Sequence, residues 1–278
     1  MMLVLEAIDE QQRHSCCVRG NLTAAAKIAL MVSFVQPRQL KKRSELMSNF
    51  DRIVLDIEGT TTSISFVYDT LFPFVRSNVR AYLDQNWDEI QDVVGTLRDQ
   101  ALVDQEGGLN APEPRDIEST VQNVLWQMDQ DRKTTGLKAL QGRIWEAGYL
   151  SGELKGHVYE DVPEALRRWT ERGARVYIYS SGSIAAQKLL FGNSVAGDLT
   201  KYLSGYFDTT TGPKREPTSY ESISKSIGGE RILFATDVVA EAEAAKSAGL
   251  DVVILNRPGN PEMPKHDFEV KTDFREIR

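Results

Sequence analysis

The sequence predicts an α/β fold, a doubly wound parallel sheet with an all-helical module inserted after its first strand. Three observations lead there. Short apolar runs recur at 53–55, 176–179, 232–235 and 252–255, inside "RIVLD", "ARVYIYSSGS", "ERILFATD" and "LDVVILNRPGN". Each run is continuous rather than alternating, as in strands covered on both faces. Helical segments at 163–172, 185–191, 217–227 and 240–248 follow or separate these runs. That βαβα order implies parallel pairing with right-handed crossovers. The third observation is an interruption: roughly 120 residues between the first and second runs contain no convincing strand.

The interrupting stretch has helical spacing instead. Trp87, Ile90, Val94 and Leu97 form one apolar face. Ile117, Val121, Leu125 and Met128 form a second, and Leu137, Leu140 and Ile144 a third. Apolar residues three and four apart line one side of a helix. The loop "DQEGGLNAPEP" separates the first two faces. The expected organisation is a sheet domain of residues 47–65 and 157–278, carrying a helical cap of residues 66–156. A weaker fifth strand is expected in "SGYFDTT".

Residues 1–46 differ from the rest. They carry seven basic residues against four acidic, a balance of +3, which leaves −10 for the body. Glu6, Asp9 and Glu10 come before most of the basic residues, against the pattern of a secretory or transit segment. This stretch is read as a disordered extension, with Met47 as an alternative start. The whole chain of 278 residues has a net charge of −7, which gives nucleic-acid binding no electrostatic support. Its longest apolar stretch, 24–35, is too short for a bilayer and is interrupted by Lys27. Cys16 and Cys17 are the only cysteines, so the body has neither a disulfide framework nor a thiol nucleophile. His14, His157 and His266 lie far apart, which leaves little material for a three-histidine zinc site. The expectation is a monomer in a reducing setting, the cytoplasm with the nucleus as a second location, acting on a small molecule.

Ligands of open α/β sheets sit outside the carboxyl ends of the strands. That rule gathers scattered residues into one crevice. Asp56 and Glu58 follow the first run, and Ser180 and Ser181 the second. Lys214 lies in "TTGPKRE" after the weak strand, and Asp237 follows 232–235. Asp56 and Asp237 offer oxygens to a hard cation, and Mg2+ needs only one or two protein carboxylates beside water and phosphate oxygens. Ser180 and Ser181 precede a helix, where hydroxyls and free N–H groups hold phosphate. Lys214 adds a point charge to the same dianion. Asp56 can attack phosphorus as a nucleophile, and Glu58 can protonate the leaving oxygen and then activate water. Singly, each residue is as well explained as a helix cap, a turn former or a surface lysine. Their joint placement at strand ends is what points to phosphoryl chemistry.

The segments "LDIEGTTTSISFVYDTLFPFVR", "VYIYSSGSIAAQKLLFG", "GYFDTTTGPKREPTSY", "ILFATDVVAEAEAAKSAG" and "RPGN" resemble the enolase-phosphatase family of the haloacid-dehalogenase (HAD-like) superfamily, over residues 50–278. The glutamate in "DIEGT" is specific, since most of that superfamily has aspartate there. The resemblance implies a Rossmann-like core and a bifunctional reaction dependent on one Mg2+ per subunit. In that reaction 2,3-diketo-5-methylthiopentyl 1-phosphate is enolised and then dephosphorylated to the acireductone, within methionine salvage. It implies that Asp56 is nucleophile and metal ligand, and that Asp237 is a second metal ligand. Glu58 would reach the metal through its backbone carbonyl, leaving its side chain free for acid–base work. Ser180, Ser181 and Lys214 would contact substrate. The base for enolisation stays open between Glu58 and a residue of the insertion. Two other readings remain: a phosphatase for another small ester, and a phospho-accepting receiver module. The large insertion argues against the receiver.

Overall fold

A computed structural model of the chain describes residues 50–277. The extension expected at 1–46 lies outside them. Six strands form one sheet: β1 (Arg52–Leu55), β2 (Arg175–Tyr179), β3 (Leu203–Phe207), β4 (Ile232–Thr236), β5 (Asp251–Leu255) and β6 (Val270–Lys271). Their order is β3-β2-β1-β4-β5-β6, and every neighbouring pair is parallel. β1 therefore sits inside the sheet between β2 and β4, which explains its continuous apolar run. Ile53 and Leu55 face one layer with Val176, Ile178, Leu233 and Ala235. Val54 faces the other with Tyr177, Tyr179 and Phe234.

Four helices alternate with the strands in the expected way, α5 (Val162–Glu171) leading into β2 and α6 (Ile184–Gly192), α7 (Pro217–Ile227) and α8 (Val239–Ser247) following β2, β3 and β4. Before them, between β1 and β2, come α1 (Phe72–Asn86), α2 (Gln91–Glu106), α3 (Ile117–Asp129) and α4 (Thr135–Ser151). These four build a core of their own from residues that include Val79, Leu83, Val94, Leu97, Val124 and Leu140. Each such side chain, fully buried, contributes about 1.5–3 kcal/mol relative to exposure. Asp116 caps α3 by accepting from the Ser119 N–H at 2.8 Å, and the Ser119 hydroxyl accepts in return from the Asp116 N–H. That reciprocal pair satisfies donors that a helix start leaves open. Gly136 lets α4 lie close on α2, since a Cβ there would meet Leu97 at 3.0 Å.

Two connections join this helical insertion to the sheet. The first leaves through Thr62 and Ser63 into a short helical turn, Ile64–Phe66, and a π-helical turn, Val67–Leu71, that runs into α1. The second returns through Gly156–Asp161 to α5. They touch each other: the Ser63 N–H donates to His157 Nδ1 at 3.2 Å, and the Tyr159 N–H donates to the Thr61 carbonyl at 3.0 Å. No helix among the described residues is long and apolar enough to cross a membrane.

Candidate active site

β1 ends at Leu55 and delivers Asp56 at its carboxyl end, 4% exposed. The chain then turns sharply. The N–H groups of Thr60, Thr61 and Thr62 all donate to the Ile57 carbonyl, at 3.2, 2.9 and 2.9 Å. Gly59 makes this possible with φ +68°, where other residues are strained. A Cβ on Gly59 would lie 2.1 Å from Asp237 Oδ2. The turn from β1 and the carboxylate after β4 are thus pressed together, with room only for a glycine.

Asp56 is held on both oxygens. Its Oδ1 accepts from the Ile57 N–H at 2.7 Å and lies 2.7 Å from Lys214 Nζ. Its Oδ2 accepts from the Thr236 hydroxyl at 3.1 Å. Lys214 arrives from the loop after β3, where the Tyr220 hydroxyl donates to its carbonyl at 2.7 Å. The same ammonium lies 2.6 Å from Glu241 Oε2, and Thr236 Oγ1 is 3.2 Å from that oxygen. Burial pulls the Lys214 ammonium down, yet the carboxylates of Asp56 and Glu241 outweigh it and the net shift is upward. Lysine here is a fixed positive charge between two acids.

The other acids of the cluster are shifted upward as well, which for a carboxyl group favours the neutral form. Burial, followed by the charge of Asp56, pushes Asp237 up to about 7. The same two causes push Glu241 up to about 8 and raise Glu58. A crowd of carboxylates with a single buried lysine favours protons, or a cation, on these groups. No group of three or more His, Cys, Asp or Glu among the described residues is arranged to hold a metal by side chains alone.

Beside this cluster lies a cavity of about 380 Å³ between the sheet and the helical insertion. Glu58, Ser180 and Ser181 line it. Ser183 caps α6, with its hydroxyl accepting from the Ala186 N–H at 3.3 Å. Gln187 donates to the carbonyls of Gly182 and Phe207, at 2.8 and 2.9 Å, and so fixes the turn before that helix. The insertion supplies Lys133 and Lys138, and Lys138 Nζ donates to the Ser181 carbonyl at 3.3 Å. Arg132 also lines the cavity but is bound bidentately to Asp104, at 2.5 and 2.6 Å. Val67, Leu71, Phe72, Trp145 and Leu190 form an apolar wall.

The six residues expected from the sequence thus divide between two adjoining places. Asp56 and Lys214 meet directly, Asp237 abuts the turn after Asp56, and Glu58, Ser180 and Ser181 face the cavity. Glu241, Thr236, Lys133 and Lys138 were not anticipated. Glu241 lies in the first turn of α8, four residues after Asp237.

A family model for haloacid dehalogenase-like hydrolases matches residues 50–249. The enolase-phosphatase E1 of Anopheles gambiae is 52% identical over 239 residues, covering 81% of this chain and 81% of that protein. That of Xenopus tropicalis is 51% identical over 228 residues, covering 77% of this chain and 88% of that protein. That of Aedes aegypti is 53% identical over 240 residues, which make up 81% of this chain and 22% of that longer protein. Among solved structures, the UTR4 protein of Saccharomyces cerevisiae gives a TM-score of 0.68 at 33% identity, covering 82% of this chain and 100% of that one. The HAD-hydrolase YfnB of Bacillus subtilis, bound to magnesium, gives 0.50 at 14% identity, covering 83% and 97%, a likeness of fold alone.

Proposed function

The chain belongs to the enolase-phosphatase E1 family, phosphatases among the haloacid dehalogenase-like hydrolases, and from that we propose a bifunctional reaction at the crevice beside Asp56. A 2,3-diketo-5-methylthiopentyl 1-phosphate is enolised and then dephosphorylated to the acireductone, a step of methionine salvage. One observation carries the reading: a buried Asp56 carboxylate, oriented by Lys214, Thr236 and the Ile57 N–H, next to a cavity with one polar and one apolar wall. The apolar wall suits the methylthioalkyl chain. The hydroxyls of Ser180 and Ser181 suit the phosphate, with Lys214 supplying charge to the same dianion.

An Asp56 oxygen attacks phosphorus while the bond to the ester oxygen breaks. Glu58, whose carboxyl is raised by burial and by the charge of Asp56, gives that oxygen its proton. Water then attacks the aspartyl-phosphate, Glu58 takes its proton, and Asp56 and phosphate separate. In the earlier enolisation a proton leaves the carbon that bears the phosphate ester. Glu58 or a residue of the insertion takes it, and Lys133 and Lys138 oppose the charge that develops on the enolate oxygen.

The donors fit one Mg2+ per chain: they are oxygens, and Asp237 is pushed up to about 7 in a place that favours added positive charge. Asp56, Asp237 and the carbonyl of residue 58 would hold the ion, which would offset the charge of the transferring phosphoryl group. The helical insertion, residues 66–156, acts as a cap that excludes water. A monomer in the cytoplasm, or also the nucleus, goes with this reading, and a body without cysteine suits a reducing setting.

The test is Asp56→Asn given the diketone phosphate with Mg2+. The expected result is a phosphorylated enol accumulating by mass spectrometry, while phosphate release falls at least about 10³-fold. Phosphate release at a near-normal rate from this variant would overturn the mechanism.

A further inference from the structure

The segment Arg257, Pro258, Gly259, Asn260 follows β5, away from the cavity-lining residues. Two of its side chains grip the turn after Asp56 from outside. Asn260 Nδ2 donates to the Gly59 carbonyl at 2.9 Å and to the Leu255 carbonyl at 3.3 Å. Arg257 Nε donates to the Thr60 carbonyl at 3.0 Å. Gly59 is the residue that abuts Asp237, and Thr60 lies in the same turn, two residues before the first connection to the helical insertion.

The same guanidinium also reaches the second connection. Arg257 Nη1 donates to both oxygens of Asp161 at 2.9 Å and to the Thr272 carbonyl at 3.2 Å. Its plane lies near the rings of Tyr159, at 4.5 Å, and Phe274, at 4.6 Å. Arg257 is 4% exposed and Asp161 7%. Asp161 also accepts from the Phe274 N–H at 2.6 Å. The turn that bears Glu58 and the second connection of the insertion are therefore tied to one buried cation.

We propose that Arg257 and Asn260 are positioning residues for the phosphatase reaction. They act through the Thr60 and Gly59 carbonyls, setting the turn that carries Glu58 past Asp237 and fixing the pivot of the insertion. This rests on the reading of the site given above. Neither residue touches the phosphate-binding groups Ser180, Ser181 and Lys214, so their loss falls on turnover and spares substrate binding. A buried ion pair serving only the fold has a different signature: any cation that satisfies Asp161 is then enough, and Asn260 is dispensable. An orienting contact is sensitive to displacements of about 1 Å.

The experiment compares wild type, Asn260→Ala and Arg257→Lys with the diketone phosphate and Mg2+, each assayed well below its own thermal midpoint. Arg257→Lys keeps a charge for Asp161 but has no Nε–H for Thr60. The expected result for both variants is kcat lower by about 10- to 100-fold with KM within about threefold. Either variant working within about twofold of wild type overturns the proposal. So does a rise in KM at unchanged kcat, or an Asn260→Ala protein that does not fold, since the motif would then serve stability. If Arg257→Lys alone does not fold, Asn260→Ala decides. An inactive wild type would remove the phosphatase reading, and this proposal with it, whereas an active wild type with active variants removes this proposal alone.

Discussion

Lys214 Nζ lies 2.7 Å from Asp56 Oδ1 and 2.6 Å from Glu241 Oε2, so one buried ammonium bridges an acid at the end of β1 and an acid in the first turn of α8. Their charges fix the lysine, and the lysine permits their burial.

Removing that ammonium therefore has two separable effects. Lys214→Met leaves two buried carboxylates unpaired, a loss of about 3–5 kcal/mol for a broken buried pair. The thermal midpoint should fall, and Mg2+ should recover part of it. Phosphate release should not recover, because the charge proposed to hold the substrate dianion is gone. Scanning fluorimetry alongside a phosphate assay checks this, and activity that returns together with stability would contradict the substrate role of Lys214.

Gly59→Ala places a methyl at φ +68° and within 2.1 Å of Asp237 Oδ2. Backbone strain of this kind costs on the order of 1–3 kcal/mol. The Asp237 carboxylate must also shift to make room. We expect loss of turnover larger than the stability loss explains, measured as kcat on protein shown to be folded by circular dichroism. An unchanged kcat would mean that the contact between this turn and Asp237 is irrelevant to the reaction.

The raised acids make cation binding depend on pH. Asp237 and Glu241 hold protons up to about 7 and about 8 in the folded chain, against ordinary values near 4. Between those limits the folded state binds more protons than the unfolded one. Metal-free protein should thus lose stability as pH rises through that window. A divalent cation competes with the proton on Asp237, so its binding releases protons and strengthens with pH. Mg2+ should raise the midpoint more at about pH 8 than at about pH 6. An equal shift at both would contradict the placement of Asp237 at the ion.

His157 gives the opposite sign. Its Nδ1 accepts from the Ser63 N–H, and burial lowers its pKa from the ordinary 6.5. The unfolded chain then takes up the proton first. Its contribution is flat above about 6.5 and falls as pH drops toward the depressed value, below which it stays constant. Wild type should lose more stability than His157→Gln on going from about pH 7.5 to about pH 5.5, in urea titrations at each pH. Parallel losses in the two proteins would show that the histidine does not hold the two connections together.

The sheet and most of the site were legible because β1, β2 and β4 are buried on both faces and end in chemically distinct residues. Asp56, Ser180 and Asp237 each stand one residue beyond such a run. β3 read weakly because it is an edge strand, only half buried, and carries Gly205. β6 has two residues and pairs only with β5, so no periodicity announces it. Glu241 was hidden because "AEAEAAKS" reads as an ordinary helix surface, and only tertiary packing turns it toward Lys214. Lys133 and Lys138 come from the insertion, and their arrival opposite Glu58 depends on how its helices pack, which residue spacing alone does not specify. The roles of Arg257 and Asn260 were likewise invisible, since they act through backbone carbonyls about 200 residues away in sequence.

One crevice is proposed to perform both enolisation and phosphate hydrolysis. The most direct measurement follows wild-type protein with the diketone phosphate and Mg2+, recording ultraviolet absorbance of the enediol product and free phosphate in the same reaction. Both should appear and reach equal amounts, with the phosphorylated enol preceding free phosphate. Phosphate released without any enediol, or no phosphate at all from this ester while others are hydrolysed, would contradict it.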